Sequence, residues 1–280
     1  MKKSINAWSF PAEYSFEECL AAAKKAGFHA IEFNLDKENK GHSFTTATTD
    51  EEILAVKALC EQYEILPVSI SSSLHHGIWS KTAPEDKEYA VGILKAQLNV
   101  AKLMGADTIL LVPGGMKDGI SLKDARENSL CNLKAVEGLI RESGVTVGLE
   151  NVWNGFFLSP YDMLSFLDDL GSDVFALYFD LGNMVAFSTS EYWAEIVGSK
   201  AAKIHIKDFK RNGGINSGGV FCDLLKGDLD FKAAMKAMKD QGFDGYLTAE
   251  VGKGKDISWE DFFQSVSDAE ETIIGYYNEA

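Results

Sequence analysis

Four short apolar segments of this chain end on, or next to, a side chain that can bind a metal ion or move a proton. They read Val-Thr-Val-Gly-Leu-Glu, Phe-Ala-Leu-Tyr-Phe-Asp, Ala-Lys-Ile-His-Ile-Lys and Gly-Tyr-Leu-Thr-Ala-Glu. Apolar, β-branched runs of this length are typical of buried parallel strands. At or near the carboxyl ends of these predicted strands lie Glu150, Asp180, His205 and Glu250.

Three carboxylates gathered at one point would repel one another strongly unless a cation compensated them. Carboxylate and imidazole ligands with open water positions suit Mn²⁺, Mg²⁺, Co²⁺ or Zn²⁺, and the absence of thiolates argues against a closed structural zinc site. Each residue alone could be an ordinary loop residue, because polar side chains commonly begin where strands end. The four together predict one divalent metal ion with a catalytic role.

The segments that must position these residues alternate between strand and helix along the whole chain. The predicted strands cover residues 5–10, 30–35, 66–71, 108–112, 145–150, 175–180, 202–207 and 245–250. The predicted helices cover residues 16–26, 51–63, 84–104, 121–143, 160–170, 191–197, 231–241 and 259–277. Eight such alternations in 280 residues predict an α/β fold, a single (β/α)₈ TIM barrel that occupies residues 1–280 as one domain. The rival, a doubly wound open sheet, is weakened because no GxGxxG motif follows the first strand.

Local signals mark several boundaries of these elements. Asp50 is a suitable N-cap for the second helix, and Ser159 followed by Pro160 is typical of a helix start. The connection over residues 208–228 is long and glycine-rich, with Gly213, Gly214, Gly218 and Gly219 close together. Connections of that length are usually either functional lids or disordered.

Composition limits the partners and the compartment. The formal net charge of −15 disfavours nucleic acid, whose binding depends on neutralised phosphates. Four cysteines without CxxC spacing indicate reduced thiols rather than a disulfide framework. No apolar stretch resembles a signal peptide or a membrane span. We therefore expect a cytoplasmic protein that binds neither nucleic acid nor membrane.

Four sequence motifs resemble a known family. Glu150-Asn151 after an apolar strand, Phe179-Asp-Leu-Gly-Asn183, Ile204-His-Ile-Lys-Asp208 and Leu247-Thr-Ala-Glu250 are similar to those of the xylose-isomerase-like superfamily of sugar and sugar-phosphate isomerases and epimerases. Within it, the chain resembles the ketose 3-epimerase group, which includes L-ribulose-5-phosphate 3-epimerase, hexulose-phosphate epimerases and D-tagatose 3-epimerase. The resemblance spans the whole predicted barrel.

The resemblance implies a function and a set of roles. It implies a metal-dependent epimerase that inverts C3 of a ketose or ketose phosphate through a cis-enediolate. The implied ligands of one divalent ion are Glu150, Asp180, His205 and Glu250, of which Glu150 and Glu250 would also form the acid/base pair. Arg211 matches a family position that contacts substrate oxygens, and Asn183, a predicted substrate-binding residue, stands where some members have histidine.

Other residues near the predicted barrel mouth have two readings each. His75 or its neighbour His76 could contact substrate or be an ordinary loop histidine. Trp8 could form an apolar wall for the sugar or lie in the core. Lys207 could bind substrate or offset the acidic site. Lys253 and Lys255, in a glycine-rich loop, could bind a phosphate or be solvated.

Three other functions remain open at this point. An aldose–ketose isomerase would use the same site. An apurinic-endonuclease-like metal hydrolase would need more metal ligands and a basic surface, whereas the chain has five histidines and a negative charge. A sugar-binding module without catalysis would have little use for an acid/base pair. The sequence leaves open which sugar is bound, which metal is native, and whether the chain forms a homo-oligomer.

Overall fold

Eight parallel strands close into a barrel in the computed structural model, which describes residues 1–116 and 119–280. The barrel strands are β1 (Lys2–Asn6), β2 (Ala30–Leu35), β3 (Leu66–Ser71), β4 (Thr108–Leu111), β5 (Thr146–Glu150), β6 (Phe175–Asp180), β7 (Ala201–Ile206) and β8 (Tyr246–Ala249). Neighbours in this order pair with each other, and β1 pairs with both β2 and β8, which closes the sheet. The predicted (β/α)₈ barrel is therefore confirmed.

Helices surround the barrel and connect its strands. Those of the described residues are α1 (Phe16–Ala26), α2 (Asp50–Tyr63), α3 (Pro84–Met104), α4 (Leu122–Ala135), α5 (Glu137–Ser143), α6 (Pro160–Leu170), α7 (Ser190–Val197), α8 (Phe231–Asp240) and α9 (Trp259–Glu279). They pack on the sheet through a continuous apolar layer of buried side chains. No helix within the described ranges is both long enough and apolar enough to cross a membrane.

Local chemistry explains where several helices begin. The side chain of Ser159 accepts a hydrogen bond from the backbone N–H of Asp162, whose carboxylate accepts one in return, and Pro160 occupies the first helical position. The second helix is capped differently from the prediction. Thr49, not Asp50, is the N-cap, and it forms the same reciprocal box with Glu52. Asp50 is instead the first helical residue, where its negative charge interacts favourably with the positive end of the helix dipole.

One predicted helix is broken in the structure. The predicted continuous helix over residues 121–143 is interrupted at Val136, whose backbone has φ −105° and ψ 3°. This residue ends α4 and precedes α5, so the segment turns between two helices. Periodicity alone did not reveal the break, because apolar positions continue through it.

Two connections at the carboxyl ends of the strands differ from the prediction. β1 ends at Asn6, and a 3₁₀ turn of Ala7–Ser9 follows where the strand was expected to continue. The connection after β7 contains an antiparallel hairpin, Asp208–Arg211 with Gly219–Cys222. The expectation of a lid or a disordered loop had missed this pairing. The hairpin is a structured wall beside the barrel mouth.

Candidate metal centre

The four strand ends that carry the predicted ligands are neighbours in the barrel, because β5, β6, β7 and β8 pair in that order. Register places Asp180 directly opposite His205. In the described part of the chain, each of four side chains offers one ligand atom, and these atoms all lie within 4.8 Å of one another. They belong to Glu150, Asp180, His205 and Glu250. The closed parallel sheet thus brings together residues that are 100 positions apart in the sequence.

His205 lies at the centre of this cluster and is 1% exposed. Its Nδ1 atom is 3.3 Å from Glu150 Oε1 and 3.3 Å from Glu250 Oε2. Its Nε2 atom is 2.5 Å from Glu32 Oε1. One ring nitrogen therefore faces the predicted ligands, and the other faces away from them.

Asp180 presents its two carboxylate oxygens to different partners. Oδ1 accepts hydrogen bonds from the backbone N–H groups of Gly182 (2.7 Å) and Asn183 (2.9 Å). Oδ2 is buried and accepts no hydrogen bond of good geometry from the described residues, although Lys207 Nζ lies 2.8 Å away. A buried oxygen held in this way is suited to bind a cation, because Oδ1 already anchors the carboxylate.

Lys207 places a positive charge among the acidic groups. Its Nζ atom is 2.6 Å from Glu250 Oε2 and also contacts Asp180. Burial by itself would favour the neutral amine, but Asp180, Glu250 and Glu150 raise the pKa of Lys207 above its ordinary value. Lys207 therefore stays charged and compensates the carboxylates. This contact is what the second alternative, that Lys207 offsets the acidic site, leads us to expect.

The two glutamates of the cluster differ in acidity. Burial raises the pKa of Glu150 to about 7, against the opposing effect of His205. Loss of solvent would also raise the pKa of Glu250, but the Lys207 ammonium and His205 hold that pKa well below its ordinary value. Two carboxyl groups with separated pKa values are typical of an acid and a base that share one site.

The residues of the cluster fit a divalent cation. Three carboxylates and one imidazole are the ligand types found around Mn²⁺, Mg²⁺, Co²⁺ and Zn²⁺ in open catalytic sites. His205 Nδ1 faces two of the other ligands, and Asp180 Oδ2 is a buried oxygen without a hydrogen bond of good geometry from the described residues. This donor set therefore supports one metal ion and leaves its identity open.

Asn183 connects two of the strand ends. Its side-chain Nδ2 donates to the backbone carbonyl of Asn151 at 2.8 Å, and its backbone carbonyl accepts a bond from the Trp153 indole. The side chain is buried, at 7% exposed. In this arrangement Asn183 supports the loops that hold Glu150 and Asp180, and a direct substrate contact stays a prediction.

Arg211 lies at the end of the first hairpin strand. Its Nε donates to the carbonyl of Val185 and one Nη donates to the carbonyl of Ser188, both at 2.6 Å. The guanidinium therefore ties the hairpin to the segment that follows β6. A substrate contact of Arg211 stays a prediction. It would use guanidinium N–H groups that do not take part in these two hydrogen bonds.

Both ring nitrogens of His75 bond to other side chains of the protein, and a contact of this residue with substrate stays a prediction. Its side chain is fully buried, Trp79 Nε1 donates to its Nδ1 at 3.0 Å, and its Nε2 bonds Gln97 Oε1 at 2.7 Å. Burial lowers the pKa of His75 to about 4, so the ring is neutral. His75 joins α3 to the turns after β3, while His76 is exposed.

Trp8 stands at the mouth beside the cluster. It lies in the turn after β1, is 40% exposed, and lines a cavity of about 550 Å³ together with Lys207, Glu250 and Phe221. The cavity is large enough for a small sugar, and Trp8 is placed to form one apolar side of it. Lys253 lines the same cavity, but its ammonium bonds the carbonyls of Gly254 and Ile257 in its own loop.

Sequence reasoning missed two features of the site. Glu32, in the middle of β2, is completely buried and bonds His205. An acidic residue inside an apolar strand was the available signal. Phe221 of the hairpin packs on Trp153 with ring centroids 5.0 Å apart and lies 5.7 Å from Lys207 Nζ. No local pattern indicated this wall, because it depends on how the hairpin folds.

Comparisons with known proteins agree with the barrel fold. L-ribulose-5-phosphate 3-epimerase UlaE of Escherichia coli (strain SMS-3-5 / SECEC) is 24% identical over 265 residues, which cover 89% of this chain and 90% of the relative. The solved structure of an L-ribulose 3-epimerase has a TM-score of 0.80 and 20% identity, covering 99% of this chain and 95% of the other. That of an IOLI protein with a bound zinc atom has a TM-score of 0.81 and 16% identity, covering 99% of both chains.

A family model provides the assignment. The model described as "Xylose isomerase-like TIM barrel" matches residues 20–273, which is most of the chain. The match includes seven of the eight barrel strands and all four residues of the candidate metal centre. The chain therefore belongs to the xylose isomerase-like TIM barrel family.

Proposed function

We propose that this chain is a divalent-metal-dependent epimerase that inverts C3 of a ketose or ketose phosphate through a cis-enediolate. One observation carries the proposal. Glu150 and Glu250 come from the two ends of the four-strand arc, and a carboxylate oxygen of each lies 3.3 Å from the same atom, His205 Nδ1. Two carboxyl groups are thus available at one reaction centre, which inversion at a carbon atom requires.

The reaction needs one group to remove the proton from C3 and another to return it to the opposite face. A bound divalent cation would polarise the ketose carbonyl and stabilise the negative charge that develops next to C3. Glu250 would act as the base that removes the proton from C3. Glu150 would return a proton to the opposite face of C3. In the reverse direction the two exchange roles.

The remaining residues would bind and orient the sugar. Trp8 and Phe221 flank the cavity and would cover the apolar face of a sugar ring or chain while excluding water. Lys207 would stabilise negative charge on substrate oxygens as well as on the carboxylates. Arg211 and Asn183 are proposed to support or contact the substrate from the loops after β7 and β6.

The names of the relatives guide the choice of substrate. The curated relatives include L-ribulose-5-phosphate 3-epimerases, and the similar solved structures include an L-ribulose 3-epimerase. We therefore propose a small ketose or its phosphate as the substrate.

A cytoplasmic location fits the four free cysteines. A homo-oligomer is compatible with this proposal and is not required by it.

Solvent deuterium exchange tests the proposed reaction. A panel of ketoses and ketose phosphates is incubated in D₂O with the protein and Mn²⁺, and NMR follows deuterium at C3 and the new ketose. Glu150→Gln and Glu250→Gln should each lower turnover by about 10²-fold or more, because each removes one proton-transfer group. Glu127→Gln on the exposed face of α4 is the matched control and should keep full activity. Full activity in either site variant would refute the assigned roles.

The same experiment separates the nearest alternative. An aldose–ketose isomerase would use the same carboxylates, but its product from a ketose is an aldose and its deuterium appears at C1 or C2. A DNA-nicking assay on an abasic duplex tests a metal hydrolase, for which we expect no cleavage because the net charge is −15.

A further inference from the structure

A second buried carboxylate lies directly behind the metal centre and has no role in the proposed reaction. Glu32 of β2 is 0% exposed. Its Oε1 atom is 2.5 Å from His205 Nε2 and 2.5 Å from Asn6 Nδ2. Its Oε2 atom accepts bonds from Ser69 Oγ at 2.7 Å and Tyr178 Oη at 2.5 Å. Four donors from four other strands therefore converge on one carboxylate inside the barrel.

Such an arrangement is not explained by packing. Burying a carboxylate is costly unless hydrogen bonds replace its lost hydration, and an apolar side chain at this position would avoid that cost. Asn6 and Ser69 are also fully buried, so these polar groups are retained away from solvent. Of these donors, His205 is the one that belongs to the metal centre. Glu32 therefore acts on the metal centre most directly through the orientation of the His205 ring.

An ionised carboxylate only accepts hydrogen bonds, so the contact with Glu32 favours a proton on His205 Nε2. When Nε2 carries the proton that it donates to Glu32, Nδ1 keeps its lone pair, and Nδ1 is the atom that faces Glu150 and Glu250. Tyr178 holds the same ring from another side, with ring centroids 4.6 Å apart. Histidine ligands are commonly oriented in this way by a carboxylate on the other ring nitrogen.

We propose that Glu32 is a positioning residue that holds His205 in the Nε2–H tautomer and fixes its ring plane, so that Nδ1 is presented to the divalent cation. The proposal rests on the metal site of the proposed function. It does not depend on which sugar is epimerised. It assigns Glu32 no contact with the substrate.

Three variants of the full chain separate positioning from a merely structural role. Glu32→Met removes the acceptor, and Glu32→Gln keeps an acceptor but removes the charge. Tyr178→Phe is the matched control, because it deletes another bond to Glu32 in the same buried network and leaves the Glu32–His205 contact in place. Thermal unfolding shows whether each variant is folded.

Two measurements test the variants without using enzyme activity. Calorimetric titration with Mn²⁺ and Zn²⁺ gives the metal affinity, and ¹⁵N NMR of histidine-labelled, Zn²⁺-loaded protein reports the tautomer of His205. We expect Glu32→Met to weaken metal binding by about 10- to 100-fold and Glu32→Gln by about tenfold, as is typical when such a partner of a metal ligand is lost. Both should reduce the population in which Nε2 is protonated and Nδ1 binds Zn²⁺. Tyr178→Phe should stay within about twofold of the wild type.

Several results would overturn the proposal. Wild-type affinity and an unchanged tautomer in Glu32→Gln would do so even if Glu32→Met failed to fold. An equal loss of metal affinity in Tyr178→Phe would show that Glu32 has only the structural role that the whole buried network shares. A wild-type chain that binds neither ion would remove the metal site and this proposal together. Metal binding without deuterium exchange into any sugar would instead contradict only the proposed reaction.

Discussion

The side-chain amide of Asn151 pairs with both backbone groups of Asp180. Its Nδ2 donates to the Asp180 carbonyl and its Oδ1 accepts from the Asp180 N–H, each at 2.9 Å. The amide thus continues the pairing of β5 and β6 by one step beyond the strand ends. As a consequence, Asn151, which directly follows Glu150, holds the predicted metal ligands Glu150 and Asp180 at a set separation.

Asn151→Asp should disturb the metal centre while preserving the shape of the side chain. The variant keeps the acceptor, loses the donor, and places a carboxylate oxygen against the Asp180 carbonyl. A buried group left without its partner costs about 1–3 kcal/mol, so we expect a lower midpoint of thermal unfolding and weaker Mn²⁺ binding in calorimetry. Asn278→Asp on the exposed end of α9 is the control. Equal metal affinity in the two variants would show that the amide pairing does not shape the site.

Removal of the divalent ion should abolish epimerisation reversibly. Dialysis against a chelator should leave a folded chain without turnover, and addition of Mn²⁺, Co²⁺, Mg²⁺ or Zn²⁺ in separate samples identifies which ion restores it. Because the ion binds only the folded state, the midpoint of thermal unfolding should rise with its concentration, by about 2.7 kcal/mol of stability at a hundredfold excess over Kd.

Asp180→Asn provides the structural check on metal removal. It keeps the size of the side chain and lowers the ligand charge, so the metal-dependent rise in unfolding temperature should shrink or vanish. Asp169→Asn, on the exposed part of α6, should behave as the wild type. Full turnover after exhaustive chelation would contradict the metal-dependent reaction.

Lys207→Met should change metal binding and turnover in opposite directions. The ammonium lies within 2.8 Å of carboxylate oxygens of two predicted ligands, so its loss removes a positive charge close to the cation and should tighten Mn²⁺ binding. The same loss should lower kcat, because less positive charge remains to stabilise the enediolate. Calorimetry and steady-state kinetics measure the two effects, with Lys123→Met on the surface as control. Weaker Mn²⁺ binding would show that Lys207 mainly holds the ligands in place.

His75→Gln should remove part of the acid sensitivity of folding. Burial lowers the pKa of His75 from 6.5 to about 4, so between these values the unfolded chain binds a proton that the folded chain does not. Stability therefore falls as pH falls through this window, by about 2 kcal/mol between pH 7 and pH 5 for this residue. Urea unfolding at both pH values should show a smaller loss in His75→Gln than in the wild type. Equal losses would mean that His75 is protonated in the folded state.

The sequence by itself determined the barrel and the four residues of the candidate metal centre. Each strand is a short apolar run, and the carboxyl ends of parallel strands in a barrel lie at one rim. A residue that directly follows or ends such a run is therefore placed by the fold class alone. Glu150, Asp180, His205 and Glu250 could be grouped in this way before any distance was known.

Only the tertiary structure decided the surroundings of those four residues. Glu32 and His75 are both polar residues in or after apolar strands, yet one bonds His205 inside the barrel and the other bonds Gln97 of α3. Which neighbour a buried polar side chain meets depends on the register of strands distant in sequence and on how helices pack over them. The hairpin that carries Phe221 also depends on pairing across the intervening glycine-rich turn. Local periodicity contains no information about such contacts, because they form only when the closed sheet brings separate segments together.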